Sequence, residues 1–466
     1  MLDGIRAAFL PCCDRRRVVL RSSRFVAPVL FLFAVTISRA SNAVTGTWSD
    51  FGPRMTHNQP SIVAGNPPIV VDRGYIYVSE RSGVNKMSLA DPKSWTYLPN
   101  DASHDRVGRL VVNALGNPVI GEKGKVVRVW NGSRFTESLF NPPAGSWTAM
   151  PAIAVDPTNG DIYAAGNFTV YKSVNNGSSF RSISDLGTVC AGSNGDKAGW
   201  IYTIAVSSWR ELFIGGETDA IYSSLNGGTT WSSLPKFPKA GNRYAMSATK
   251  DGELLISTAF SNSGNDYFMK YTADGALVPA TDGLPAFLLN DQLHVAAHMV
   301  YLDSGENFVV SKYRADQSVH CLKWDGKSWT NIESLPNGPG AGLLSNSLGT
   351  DGTNLYVGTA SGQIKKWTPA AKLPFKVSAG ANQSVPLNVA ASLMGTVTPA
   401  GKYTYRWTVR GSKAVSFGDP SALATTVTCS QQGDYALNIK ATDRQGVTVG
   451  STVLIHVAGP GAVRRR

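Results

Sequence analysis

The sequence predicts an all-β protein: a seven-bladed β-propeller over residues 44–372, closed by an N-terminal strand, then a C-terminal β-sandwich over 376–458. Three observations carry that reading. A short β-rich run flanked by turn residues recurs seven times between residues 74 and 359. A strand-like segment just past the leader has no blade of its own, while the last repeat lacks an outer strand. From about residue 376 the repeat stops and a new set of alternating strands begins. The 466 residues include 47 Gly and 11 Trp and are only 16% charged, which suits short strands and tight turns rather than long amphipathic helices.

In chain order, residues 1–43 read as a targeting segment. Arg15, Arg16, Arg17, Arg21 and Arg24 precede an apolar run, FVAPVLFLFAVTI at 25–37, and then the small, polar SRASNA. This is the order of a secretory signal peptide, and the run falls short of the about 20 residues a bilayer span needs. Cleavage is expected. Retention as a signal anchor is the alternative, and Cys12 and Cys13 are then candidates for palmitoylation.

The recurring run reads GYIYVS (74–79), GNPVIG (116–121), GDIYAAG (160–166), RELFIGG (210–216), GELLIST (252–258), GENFVVS (305–311) and TNLYVGT (353–359). A strand ending in an aromatic usually follows, as in VVRVW, HCLKW and QIKKW; after a tight turn comes a third signal, as in SRFTESL or TTWSSLP. Intervals of roughly 40–50 residues, with several short strands each, are the mark of propeller blades. After Trp367 the chain reads TPAAKLP, where proline interrupts the outer strand, and the orphan GTWSDFG at 46–52 matches what is missing. Pairing of Thr47–Phe51 with 363–367 is therefore expected to close the ring and leave no open sheet edge.

Two turns within the repeats are nearly identical, YKSVNNGSSF at 171–180 and YSSLNGGTTW at 222–231. Asn175 and Asn226 carry short polar side chains that bond nearby backbone, and Gly177 and Gly228 supply a positive φ. Ser173 and Ser224 open the motif; Phe180 and Trp231 close it and are expected to bury a ring between neighbouring sheets. The pattern resembles the Asp-box (BNR repeat) hairpin of sialidases, other propeller glycosidases and sortilin-type receptors, with Asn at the usual Asp. In those families the box is peripheral, so the resemblance implies an architecture rather than an activity.

Beyond residue 376 the strands YTYRWTV, TTVTC, YALNIKATD and TVLIHV alternate in polarity. The order Tyr-x-Tyr-x-Trp, Gly433-Asp434-Tyr435 and ATDRQG resembles a PKD-domain immunoglobulin-like β-sandwich. The resemblance implies Trp407 as the buried core ring and a spacer or adhesion role. Where that family carries Asp-Phe-Gly-Asp-Gly after the Trp, this chain reads TVRGSK. Residues 459–466 form a basic tail.

Charge excludes little. The net charge of +12 includes seven Arg against two Asp in the first 40 residues, and no Lys/Arg cluster alternates with aromatics, so no nucleic-acid partner is expected. Cys190, Cys321 and Cys429 follow the leader; one Cys190–Cys321 bridge and three free buried thiols are both open readings. Sequons at Asn131, Asn167, Asn176 and Asn382 agree with a secreted glycoprotein. His294 and His298 share the spacing of a zinc helix but lack its Glu, since Val295 stands there, so neither metal nor cofactor is expected. No phosphate loop or nucleophile elbow is present.

Sialidase chemistry needs an arginine triad and a Tyr/Glu pair, and the text GPRMTHNQP around Arg54 does not match that family's first arginine motif. Most Asp residues sit beside Gly, Pro or Asn and read as turn caps. Glu217 and Asp219, directly after a strand, are the carboxylates best placed for a propeller mouth. Trp147, Trp200 and Trp209 fall outside the repeating blade positions, where they suit stacking on sugar rings or docking a protein, as an alternative to filling the core. The expected function is a secreted or cell-surface recognition or adhesion protein, with carbohydrate binding or a protein ligand held by propeller loops. A membrane is a partner only if the leader is retained. A propeller-type glycoside hydrolase, sialidase-like or endoglucanase-like, is the alternative.

Overall fold

The computed structural model describes residues 46–458 apart from 56–68, 101–106, 123–125, 139–151, 167–168, 186–200, 217–220, 236–241, 260–267, 285–298, 313–318, 333–342, 370–374 and positions 81, 304 and 411. The leader, the basic tail, Cys190, His294 and His298 lie outside the described residues. Every described element is a strand; no described helix is long and apolar enough to cross a membrane.

The strands between Gly46 and Pro369 form seven four-stranded antiparallel sheets, and six of them follow the chain as a simple meander. Blades one to six span 69–99, 107–138, 152–185, 201–233, 242–279 and 299–331. The seventh takes three strands from 343–369 and its fourth from Gly46–Phe51. The first strand of each blade packs against that of the next, and blade seven's packs against blade one's, so the first strands line the centre of a closed ring.

Closure is by the strand the sequence left without a blade. Gly46–Phe51 pairs antiparallel with Ile364–Pro369, with Trp48 opposite Trp367 and Phe51 opposite Ile364. Trp48 is 4% exposed, sits in a core cluster with residues of blades six and seven, and its indole N–H donates to the Ile332 carbonyl at 3.0 Å. Cys321 lies in the same cluster. Gly46 is required beside it, because a Cβ there would run into the Trp367 ring.

The two Asn hairpins have the same wiring. In each, the Asn Oδ1 accepts from the Ser hydroxyl (2.8 Å at Asn175, 3.0 Å at Asn226) and from a backbone N–H four residues on (3.0 and 2.9 Å). The Gly177 and Gly228 amides each donate to the Ser hydroxyl at 2.9 Å, and both glycines have positive φ. The closing aromatics differ from expectation. Phe180 and Trp231 are only half-buried at the rim of their clusters, since the strands they precede are the outermost of their blades. Trp231 donates to Ser184 Oγ of the neighbouring blade and to the Gly228 carbonyl, both at 3.1 Å.

The strands from Lys376 to Ala458 build a sandwich. One sheet holds Gln383–Pro386, Thr448–Ala458, Gly433–Thr442 and Thr404–Val409; the other holds Ala391–Met394, Ala424–Cys429 and Val415–Phe417, with Lys376–Ser378 and Thr396–Thr398 paired separately. Trp407 is 2% exposed at the centre of the core, its N–H bonded to the Ala422 carbonyl at 3.1 Å, and buried Cys429 lies in the same cluster.

The sandwich docks on two propeller turns, 207–211 of blade four and 249–253 of blade five. Arg410 pairs with Glu211 at 3.3 Å, with side chains 10% and 3% exposed, and also donates to the Gly252 carbonyl. Asn438 Nδ2 donates to the Asp251 carbonyl at 2.6 Å, and Lys440 reaches Glu253 at 3.1 Å. The surfaces approach so closely that a Cβ on Gly450 would collide with Asp251.

Candidate functional site

A meander blade sorts its turns into two sets. Turns joining first to second and third to fourth strands lie at one end of the ring, here called lower. Second-to-third turns and blade-to-blade connections lie at the upper end. Both Asn hairpins and the whole sandwich contact are therefore lower features.

At the upper end, blades one and two carry a buried polar cluster. Glu80 ends the second strand of blade one, Tyr75–Glu80, and Glu122 ends that of blade two, Pro118–Glu122. They are 4% and 0% exposed. A carboxylate taken so far from water needs charge and hydrogen-bond partners. For Glu122 these are Arg128 of the adjacent strand, Nε to Oε2 at 3.1 Å, and Asn100 Nδ2, which donates to Oε1. Asn100 belongs to blade one, and its own amide donates to the Ser82 carbonyl at 2.8 Å, so it ties the two blades together.

Around Glu80 the partner is Tyr97. Its hydroxyl lies 2.8 Å from both the Ser82 hydroxyl and the Ser82 carbonyl. Burial pushes the phenol up, the Ser82 hydrogen bond opposes, and the Glu80 charge pushes it up further, so Tyr97 stays a neutral donor. Gly83 makes room for this ring, since a Cβ would stand 2.9 Å from it. On the central strand of blade two, Arg109 pairs in register with Gly121, on the sheet face opposite Glu122. Burial holds its guanidinium below the ordinary value, yet an arginine remains charged. Part of Arg109 still borders solvent.

The cluster thus offers two carboxylates, one guanidinium (that of Arg128), a carboxamide and a phenol held on neighbouring strands. Such a set can hydrogen-bond a polyhydroxylated or charged ligand with little reorganisation. Among the described residues no group of three or more His, Cys, Asp or Glu is arranged to hold a metal ion.

Of the residues singled out by sequence, Trp147, Trp200, Glu217, Asp219 and Asn167 lie outside the described residues. Glu217 follows Leu212–Gly216, the blade-four counterpart of the strands that end in Glu80 and Glu122. Trp209 requires a correction. It lies in a lower turn, is 2% exposed, and donates to Glu211 Oε2 at 2.9 Å, beneath the Arg410 contact. Its ring is core and interface, with no face open to a ligand. Asn131 and Asn382 are exposed; Asn176 is half-buried at a φ of 60° in the first Asn hairpin. Glu80, Tyr97, Asn100, Arg109, Glu122 and Arg128 were missed. The available signal was a Glu at the end of the repeated run in three blades, at 80, 122 and 217.

No family model and no curated protein matches the chain by sequence. Solved structures do match by shape. A catalytically inactive variant of virginiamycin B lyase from Staphylococcus aureus, bound to quinupristin, aligns with a TM-score of 0.52 at 13% identity, over 69% of this chain and 99% of the lyase. A streptogramin B lyase aligns with a TM-score of 0.50 at 15% identity, over 70% and 98%. The extracellular domain of a putative hybrid two component system from B. thetaiotaomicron reaches 0.49 at 12% identity, over 89% of this chain and 60% of that one. Likeness at such identities carries architecture alone. The chain has the β-propeller fold.

Proposed function

We propose that this protein is a secreted or cell-surface recognition protein that binds a glycan or protein ligand at the upper end of its propeller. The observation that carries the reading is the Glu80–Tyr97 and Asn100–Glu122–Arg128 cluster, in which buried Glu80, Asn100, Glu122 and Arg128 lie behind a half-buried Tyr97 at the end where blade connections converge. A core gains nothing from two buried carboxylates that apolar side chains would replace at lower cost. A ligand surface gains fixed donors and acceptors. Trp147, Trp200, Glu217 and Asp219 belong to the same proposal, because in sequence they fall in upper-end connections. The leader and the sequons at Asn131, Asn167, Asn176 and Asn382 support passage through the secretory pathway. We also assign the twin hairpins to the Asp-box class, on their shared wiring, and the sandwich to the PKD-type immunoglobulin-like class, with the division at 44–372 and 376–458. The test is a glycan array probed with the secreted chain. Binding to a defined glycan set supports the reading; an empty array leaves the protein-ligand branch, which a pull-down with the upper-end variant Glu122→Gln as control then decides.

A second reading, glycoside hydrolysis, is favoured by one observation: Glu80 and Glu122 stand at matching stations on adjacent blades. Glycosidases use two carboxylates flanking the scissile bond. Against it, both Glu122 oxygens are already engaged, Oε2 by Arg128 at 3.1 Å and Oε1 by Asn100, and the side chain is buried out of reach of a scissile bond. Turnover of sialosides or β-glucans, abolished by both Glu80→Gln and Glu122→Gln, would move the protein into that class.

A further inference from the structure

A depression also lies on the sandwich, lined by none of the propeller blades. It measures about 480 Å³ and is lined by Phe375, Lys402, Tyr403, Asp443, Arg444 and Gln445. Its size suits one or two sugar rings, at the small end of ligand sites. The floor is aromatic and braced. Tyr403 lies against Phe375 with ring centroids 4.6 Å apart, and its hydroxyl donates to the Pro399 carbonyl at 3.0 Å. Phe375 itself is 2% exposed, so the ring that meets solvent is Tyr403.

The walls are charged and mostly unspent. Lys402, Arg444 and Gln445 are exposed, and neither cation has an ion-pair partner among the described residues. Asp443 serves the turn: its Oδ1 accepts from the Gln445 and Val447 amides at 2.9 and 2.8 Å. That wiring fixes the turn that brings Arg444 and Gln445 to the depression that Tyr403 also lines. Apolar sugar faces stack on aromatic rings, and carboxylate or sulfate groups pair with guanidinium and ammonium.

We propose that this depression is a second ligand site, taking an acidic saccharide: a pyranose face on Tyr403, its acid group between Lys402 and Arg444, and a hydroxyl on Gln445. The sandwich is then a binding module in its own right, independent of the propeller cluster. The experiment titrates the full chain with 3′-sialyllactose, with a glucuronate disaccharide and with neutral lactose, by NMR or calorimetry at low salt. At least one acidic probe is expected to bind, lactose at least tenfold more weakly, and added salt to weaken the acidic probe. Tyr403→Ala and the double variant Lys402→Ala/Arg444→Ala should each lose at least tenfold. Tyr403→Phe, which keeps the ring, and Asn226→Ala, in a lower propeller hairpin, should bind as the parent does. Variant melting temperatures are read alongside, so that loss of fold is not taken for loss of site. Equal binding of lactose, binding that survives the sandwich variants in folded protein, or no binding of either acidic probe overturns the proposal. Loss in Glu122→Gln alone would assign the acidic saccharide to the propeller instead, which also overturns it.

Discussion

Replacing Trp48 by Ala tests ring closure where it is most concentrated. The indole is 4% exposed and packs among Val300, Leu302, Ile332, Leu343 and Trp367, so it joins blade six to blade seven through a strand that enters from the far end of the chain. Truncating a buried Trp costs about 3–5 kcal/mol. The Ile332 carbonyl also loses its donor, worth about 1 kcal/mol. With a urea slope of about 3 kcal/mol/M the unfolding midpoint falls by roughly 1–2 M. The assay is urea unfolding followed by tryptophan fluorescence and far-UV circular dichroism. Trp48→Phe, which keeps most of the ring but not the N–H, should fall between the two. A loss below about 1 kcal/mol for Trp48→Ala would refute the argument, since a solvent-facing Trp at a frayed terminus costs that little.

Three further outcomes follow from the contacts. Ser49→Cys with Lys366→Cys should crosslink on oxidation, because the two residues are register partners and facing antiparallel residues lie within disulfide reach; Asp50→Cys with Lys366→Cys should not, since the thiols then point to opposite faces. Arg410→Met should cost about 3–5 kcal/mol in denaturant unfolding by leaving Glu211 buried beside Trp209 without its charge partner, and pairing it with Glu211→Leu should recover much of that. For Asp351, burial opposes ionisation, but hydrogen bonds from Asn354, Thr353 and Tyr356 outweigh it and hold the carboxyl below its usual range. A depressed folded pKa gives stability that is present above the unfolded carboxylate value and is lost as pH falls through the folded one. Asp351→Asn should therefore flatten the acid limb of the stability curve.

The second strand of every blade was legible because it carries the densest apolar run and starts directly after a Gly, Asn, Asp or Glu. The sequence reading placed the seventh of these at 353–359, and the strand is Leu355–Thr359. The N-terminal closing strand was legible as an orphan, since GTWSDF repeats the outer-strand text of other blades and the prolines after Trp367 exclude a local one. First strands such as Asn242–Ala248 and Leu343–Thr350 were not picked out: lining the ring centre, they carry small and polar residues and give no alternating signal. The candidate site was mostly illegible. Glu80 and Glu122 look like ordinary strand-end polar residues until the neighbouring blade covers them, and Asn100 reaches Glu122 only because the ring sets blade one against blade two. Trp209 was misplaced for the converse reason. Its place outside the repeated strands hid that it packs into the core between blades four and five with Phe213, Leu254 and Tyr271, while Arg410 of the sandwich covers the neighbouring Glu211.

The central claim is that the upper end of the propeller recognises the ligand while the lower end is structural. The direct measurement is the dissociation constant of a glycan or protein ligand of the chain for the parent protein, Glu122→Gln, Tyr97→Phe and Asn226→Ala, each confirmed as folded. Asn226→Ala strips one hairpin of its side-chain bonds to Ser224 and Thr230 and should lower stability by about 1–2 kcal/mol without changing affinity. Glu122→Gln removes the buried charge opposite Arg128, and Tyr97→Phe removes the phenol beside Glu80; each should weaken binding about tenfold or more. Unchanged affinity in both upper variants, or a comparable loss in folded Asn226→Ala, would contradict the account.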